Sequence, residues 1–213
     1  MADQQDFHIT SEQFRGLKLG RYEVVRRIGT GAAGQILQAF DPILERDVAI
    51  KVISDSLSAE IKAEYFERFR IEARVFGKMS HPNVVAVHDA GNHGDDPYLV
   101  MELCAGPTLQ QLLAASGSMN PDEALWILRQ LGTALEHVHA HGVVHRDLKP
   151  ANVMIGELGE VQIVDWGLAG LVEPVDDAPP APPGGHGTAG YAAPEQLEGA
   201  APDPRADVFS LGV

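Results

Sequence analysis

The apolar pattern of this chain changes character once, between Cys104 and Pro107. Before that point apolar residues fall in short β-branched runs; after it they recur at helical spacing. Such a switch implies an α+β architecture, with the sheet in one part and the helices in another, and it predicts two lobes around a cleft. Strands are expected at residues 22–28, 35–40, 47–53, 84–88 and 98–103, the last two joined by a turn in Gly-Asn-His-Gly-Asp-Asp-Pro. One helix interrupts them, at 58–79, with Tyr65, Phe66, Phe69, Ala73, Phe76 and Met79 as its apolar residues. In the second part, Asn120-Pro121-Asp122-Glu123 reads as a helix start. Asparagine can accept from a free first-turn N–H, proline needs no hydrogen bond there, and acids favour that end of the helix dipole. Leu125, Leu128, Leu131, Leu135 and Val138 then recur up to Gly142. Short strands are expected at 153–155 and 161–164, and the Pro/Gly-rich stretch 173–187 reads as a loop. This divides the chain into an extension at 1–18, a sheet-bearing lobe at 19–104 and a helical lobe at 105–213.

Composition removes several classes of function. The 213 residues contain no run of the roughly 18 apolar residues that a membrane-spanning helix needs. The start, Met-Ala-Asp-Gln-Gln-Asp, is polar and acidic, unlike a signal or transit peptide. A single cysteine, Cys104, leaves no internal disulfide and no cysteine-based zinc site, which suits a reducing cytoplasm. Thirty acidic residues against 16 basic ones give −14, which disfavours nucleic acid and anionic membranes as partners. The charge is uneven, −4 over residues 1–105 and −10 over 106–213. The second half is therefore the better place to receive a basic partner, although solubility alone explains the same imbalance.

Four motifs carry chemistry. In Gly29-Thr30-Gly31-Ala32-Ala33-Gly34, backbone N–H groups can approach phosphate oxygens with no Cβ in the way. A dinucleotide-binding loop has the same spacing but must open a helix, whereas 35–40 reads as a strand ending at Asp41-Pro42. A plain hairpin turn also fits. Lys51, in Val48-Ala49-Ile50-Lys51, shares a strand face with Ala49, where a lysine needs an anion or a way out to water. Glu72 lies three residues from Phe69 and four from Phe76, on an apolar stripe where a carboxylate is unfavourable without a cation, so Lys51–Glu72 is the expected pair. The segment from His145-Arg146-Asp147 through Leu148-Lys149-Pro150-Ala151 to Asn152 supplies a candidate base in Asp147 and a cation in Lys149. With Asp165-Trp166-Gly167, it also offers two hard oxygen ligands, Asn152 and Asp165. Donors of that kind suit Mg²⁺ held jointly with substrate phosphates, although Asp and Asn in turns commonly serve as local caps.

Taken in order, these motifs resemble those of protein Ser/Thr kinases, specifically the bacterial kinases similar to the eukaryotic family, from about Leu19 to Val213. The resemblance implies a bilobal protein-kinase-like fold, with a small antiparallel sheet and one helix in the N-lobe and a mainly helical C-lobe. It implies transfer of the γ-phosphoryl group of Mg·ATP to Ser or Thr hydroxyls of protein substrates, in signalling. The Gly29–Gly34 loop, with Gly29, Gly31 and Gly34, would cover the ATP phosphates, Ile28 would be a further nucleotide-binding residue, and Lys51, oriented by Glu72, would hold the α- and β-phosphates. Met101 would guard the back of the adenine pocket, Glu102 and Cys104 would offer hinge backbone groups, and Ile36, Ala49 and Met154 would enclose the ring. Asp147 would accept or orient the substrate hydroxyl proton. Lys149 would neutralise the transferring group, and its place two residues after Asp147 fits Ser/Thr kinases, not Tyr kinases. Asn152 and Asp165 would bind Mg²⁺. Thr188 resembles the threonine that packs against the catalytic loop, Ala193-Pro194-Glu195 matches an A-P-E segment, and Asp207 resembles the aspartate that braces the loop from a central helix.

The chain departs from the pattern in three places. Trp166 stands where the family has Phe, which implies altered switching with metal binding retained. Residues 168–187 contain no Ser, Thr or Tyr, so activity is expected without phosphorylation there. Glu173, Asp176 or Asp177 could supply Arg146 with a substitute charge, or could simply solvate the loop. Val213 falls inside the expected central helix, and relatives carry an arginine for Glu195 further on. A cut-short C-lobe is therefore expected, with a kinase-like scaffold that binds nucleotide or partners as the alternative function. His137, His139, His141 and His145 read as structural residues, not as metal ligands. Location in the cytoplasm follows, either free or as the cytoplasmic part of a membrane-anchored kinase; no motif bears on oligomeric state.

Overall fold

A computed structural model describes residues 16–31, 34–53, 77, 79–94, 96–172 and 187–213. Outside the described residues lie most of the 1–18 extension, the centre of the glycine loop, the body of the expected 58–79 helix with Glu72, and nearly all of the 173–187 loop with its acids. Cα proximity divides the chain into two units, Met1–Gly77 with Ala86–Leu103, and Lys78–Val85 with Cys104–Val213.

The first unit holds a six-stranded antiparallel sheet. Its strands are β1 (Lys18–Leu19), β2 (Tyr22–Gly31), β3 (Gly34–Asp41), β4 (Arg46–Ile53), β5 (Val87–His93) and β6 (Asp96–Glu102), in the order β1-β2-β3-β4-β6-β5. Lys51 lies opposite Ile36 and Leu99, and Ala49 lies opposite Gln38 and Met101. Directly opposed residues share a face, so Ile36, Ala49, Lys51 and Met101 stand on one side of the sheet. On the other side Leu37, Ala39, Val48, Ile50, Val52, Tyr98 and Val100 pack with Leu19, Tyr22 and Val24 into a buried cluster. A run as apolar as Val48–Val52 thus serves two faces at once.

Side chains close the curl of this sheet. The Tyr22 hydroxyl donates to Asp89 Oδ2 at 2.8 Å, although β3, β4 and β6 separate their strands in the sheet order. The Arg21 guanidinium lies 3.2 Å from both Asp41 Oδ2 and Asp89 Oδ2, and Tyr22 meets Tyr98 edge to face at 6.5 Å. Such contacts require a strongly twisted sheet. Burial, with Asp89 beside it, pushes the Tyr22 phenol well above its ordinary range. Burial also works against the Asp41 carboxylate, but the Ile43 N–H, the Arg21 guanidinium and the Leu44 N–H outweigh it and hold Asp41 below its ordinary value. A depressed carboxylate stabilises the fold above its unfolded pKa and stops doing so as pH falls through the folded one. Asp41→Asn is therefore expected to reduce the acid sensitivity of thermal unfolding below about pH 4, the ordinary carboxylate range; melts with the same pH dependence as the wild type would contradict this.

Two expectations need correction here. The strand expected at 84–88 is displaced: β5 runs from Val87 to His93, and His93 pairs with Asp96, so the ladder takes in residues expected to form the turn. Val84 and Val85 instead join the second unit, where Val84 bridges Ile163 and the Val85 N–H donates to Ile163 O at 3.1 Å. Turn-forming residues are tolerated in β5 because it is an edge strand. Gly91 is needed in it, since a Cβ there would come within 2.5 Å of the Tyr98 hydroxyl. Pro97 lies just outside the β4–β6 ladder, which begins at Tyr98, so its missing N–H leaves no gap there.

In the second unit come α1 (Leu109–Ser116), α2 (Pro121–Ala140), β7 (Val143–Val144), a 3₁₀ turn (Pro150–Asn152), β8 (Val153–Ile155), β9 (Val161–Ile163), β10 (Gly170–Leu171), α3 (Pro194–Leu197) and α4 (Pro204–Leu211). α2 begins as its sequence dictates, with Asn120 accepting from the Asp122 N–H and Pro121 at the first position. Its buried side is Ile127, Leu131, Ala134, Leu135 and Val138. That is the second correction: Leu125 and Leu128 are 49% and 40% exposed, since they lie off the stripe that runs through 127, 131, 134 and 138. α1 carries a signal that the sequence reading passed over, a reciprocal capping box between Thr108 and Gln111.

Candidate catalytic site

The site in the second unit is built on the loop between β7 and the 3₁₀ turn. β7 pairs with β10, Val144 opposite Gly170, so the stretch around Asp165-Trp166-Gly167 returns to the strand from which His145 emerges. The Val164 N–H donates to Asn152 O at 2.9 Å, and the His145 ring faces the Val164 carbonyl through Nε2 at 3.3 Å. His145 Nδ1 accepts from the Asp147 N–H at 3.1 Å, so the geometry places the ring proton on Nε2. Trp166, 2% exposed, lays its ring 4.5 Å from that of His145. The larger aromatic is thus accommodated in the interior.

Asp147, Lys149, Asn152 and Thr188 converge. Lys149 Nζ donates to Asp147 Oδ2 at 2.7 Å and to Thr188 Oγ1 at 2.6 Å. Thr188 donates in turn to Asp147 Oδ1 at 2.7 Å. Asn152 Nδ2 donates to the Asp147 carbonyl at 2.8 Å and to Asp147 Oδ2 at 3.1 Å. Both carboxylate oxygens of a largely buried Asp147 are thereby aimed by donors of known position. Because Asn152 spends its amide N–H groups on Asp147, its Oδ1 turns elsewhere, and among the described residues no hydrogen bond is made to it. Asp165 is exposed and sits at φ 61, while Arg146 is buried at φ 67. Left-handed backbone is uncommon for non-glycine residues, more so for arginine than for aspartate, and such positions persist where surrounding contacts hold them.

The hold on Arg146 is visible. Asp207 in α4 is fully buried; its Oδ2 accepts from the His145 N–H and its Oδ1 from the Arg146 N–H, each at 2.8 Å. His139 Nε2 lies 2.8 Å from Asp207 Oδ2 as well. At the head of α4, Asp203 caps the helix, and its contacts with the Arg205 side chain and N–H pull its carboxyl down to about 2. The four histidines of 137–145 part company: His139 meets Asp207, His145 bridges loop and strand, and His137 lies between the rings of His81 and His141 at 5.1 and 4.6 Å. Among the described residues no group of three or more His, Cys, Asp or Glu could hold a metal ion.

The remaining candidates are placed as follows. Ile28, Gly29 and Gly31 lie on β2, and Gly31 pairs with Gly34 at the start of β3. The chain after Gly34 is therefore a strand, not the helix that a dinucleotide-binding loop needs. Ile36, Ala49, Lys51 and Met101 share a sheet face in the first unit. The Glu102 N–H is already given to Ala86 O at 2.9 Å. Cys104 and Met154 are half-buried in the second unit, and Met154 bridges Thr108. The sequence reading missed His139 as a partner of Asp207, and Gln196, whose side-chain amide donates to the Arg146 carbonyl. No local pattern marks either residue, because each partner is about fifty residues or more away in sequence.

Residues 22–213 match a family model described as protein kinase domain. The chain is 44% identical over 201 residues to the serine/threonine-protein kinase PknA of Mycobacterium tuberculosis, covering 91% of this chain and 45% of that protein. It is 35% identical to PrkC of Bacillus subtilis, over 91% of this chain and 29% of the relative, and 37% identical to PknB of Mycolicibacterium smegmatis, over 90% and 31%. The chain thus spans less than half the length of these curated relatives. No helix among the described residues is long and apolar enough to cross a membrane.

Proposed function

Because this chain belongs to the protein kinase domain family, we propose that it transfers the γ-phosphoryl group of Mg·ATP to Ser or Thr hydroxyls of protein substrates. The observation that carries this reading is the convergence of Lys149, Asn152 and Thr188 on the two carboxylate oxygens of Asp147. The substrate hydroxyl oxygen forms a bond to the γ-phosphorus as the bond to the β,γ-bridging oxygen breaks and ADP leaves. Asp147 orients that hydroxyl and takes its proton. Lys149 stands beside the carboxylate and meets the charge that builds on the phosphoryl oxygens. On the first unit, Lys51 is the cation for the α- and β-phosphates, and Ile36, Ala49 and Met101 offer an apolar surface to the base.

The donor set fits Mg²⁺: Asn152 has an amide oxygen turned from its own bonds, and Asp165 is an exposed carboxylate, both hard ligands. Bound there, the ion neutralises phosphate charge. The acid-rich second half favours basic substrates, and the cytoplasm is the setting that supplies ATP. The test is transfer of labelled phosphate from ATP to a basic Ser/Thr protein, with Lys51→Met and Asp165→Asn as controls. Transfer that survives in either control would contradict the assignment, and nucleotide binding without transfer by the wild type would favour the scaffold reading.

Thr188 offers a sharper check. Thr188→Ser keeps the hydroxyl between Lys149 and Asp147, whereas Thr188→Val removes it at similar volume. The valine variant is expected to lose roughly 10–100-fold in kcat, the equivalent of one hydrogen bond to charged groups, while serine stays near wild type. Equal rates in the two variants would show that the hydroxyl plays no part.

A further inference from the structure

We infer that Gln196 is a positioning residue for Asp147, acting through the peptide bond that joins Arg146 to Asp147; the inference rests on the kinase reading above and extends it. Gln196 lies on α3, immediately after Ala193-Pro194-Glu195, and is 2% exposed. Its Nε2 donates to the carbonyl of Arg146 in a buried bond. The same peptide unit ends in the Asp147 N–H, which donates to His145 Nδ1. Both polar ends of one peptide plane are therefore held, the carbonyl by Gln196 and the N–H by His145. The preceding N–H, that of Arg146, is held by Asp207. Arg146 sits at φ 67, an uncommon conformation for a non-glycine residue, and these contacts hold it there. The orientation of this plane sets the direction in which the Asp147 side chain leaves the backbone, and hence where its carboxylate meets Thr188 and Lys149.

Gln196 reaches the other side of the cluster as well. Gly187, the residue before Thr188, has φ 129, and a Cβ there would come within 2.7 Å of Gln196 Nε2 and 2.9 Å of Ala192 Cβ. The glycine thus lets the backbone that carries Thr188 lie against the same amide that holds Arg146. One side chain touches both the loop that bears Asp147 and the segment that supplies its hydroxyl donor. The chemistry calls for an amide. A carboxylate would set oxygen against the Arg146 carbonyl oxygen, and an apolar side chain would leave that carbonyl without its donor.

The test uses the full chain and two near-isosteric variants. Gln196→Met removes the donor and is expected to lower kcat about tenfold with KM for ATP within about twofold, since the loss falls on the reacting geometry and not on nucleotide binding. Gln196→Glu lacks the donor when ionised and regains one when protonated, so its rate relative to wild type is expected to climb as pH falls from 8 toward 6, burial having raised the carboxyl's pKa. A purely structural role would lower thermal stability without that pH-dependent recovery. An unchanged kcat in Gln196→Met, or a deficit in Gln196→Glu that acid does not ease, overturns the inference; if the methionine variant fails to fold, the glutamate variant carries the test. A wild type that transfers no phosphate would sink the kinase reading instead. Hydrogen exchange at the Gln196 side-chain amide then still decides the contact, slow exchange supporting it and free exchange overturning it.

Discussion

Asp147→Asn is expected to lower kcat by ~10²–10⁴-fold, the range in which a positioned general base acts, with little change in thermal stability. The two parts of this expectation have separate causes. An amide cannot take the substrate proton, so the rate falls. Yet the variant keeps the volume of the side chain and one carbonyl oxygen. With the oxygen toward Lys149, the amide nitrogen faces Thr188, whose hydroxyl can turn from donor to acceptor. The backbone carbonyl that accepts from Asn152 is untouched. Measured kcat and Tm should therefore part company. A variant that keeps more than a tenth of wild-type kcat would remove Asp147 from the role proposed for it.

Asp207→Ala is expected to lower both. The carboxylate is fully buried and takes the N–H groups of His145 and Arg146 as well as His139 Nε2. Truncation leaves two buried backbone donors without an acceptor, each worth about 1–3 kcal/mol, so a loss of roughly 2–6 kcal/mol is expected if the donors do not find water. For a domain of this size the fall in Tm should be on the order of 10 °C. Activity should fall with it even well below the melting temperature, because Arg146 loses one of the contacts that keep it at φ 67. Asp207→Asn is the informative partner: it retains one acceptor oxygen, and its effect should be intermediate. If alanine leaves Tm within about 2 °C, no more than the change that a single kcal/mol would bring, the two N–H groups have other partners and the bracing role fails.

Much of the local structure was legible because its causes are local. Asn120-Pro121 starts a helix by satisfying that helix's own first turn. β8 and β9 lie within a residue of where their β-branched runs suggest, and the strand after Gly34 rejects a dinucleotide fold. Lys149 and Asn152 reach Asp147 within five residues, so the spacing of the motif already holds three of the four members of the cluster. The errors share a different cause. β5 begins later than expected and continues through Gly91 and Asn92 because the Tyr98 hydroxyl leaves no room for a Cβ at 91 and the edge position tolerates residues that elsewhere make turns. Leu125 and Leu128 are apolar and in helical phase, yet the buried stripe of α2 passes beside them.

The sequence by itself determined the order of the elements, the caps that begin them, and the set of charged and amide groups gathered around Asp147. Those depend on backbone preference and on reach over a few residues. The family resemblance already implied that Thr188 packs against the loop and that Asp207 braces it; only the tertiary structure decided through which atoms, Asp207 receiving two N–H groups from a loop some sixty residues earlier, Thr188 closing the circle between Lys149 and Asp147, and Gln196 gripping the Arg146 carbonyl. Each of these fills a hydrogen-bonding group that the local chain leaves open. Which distant side chain fills it is settled when helices and strands pack, and packing is a property of the whole fold.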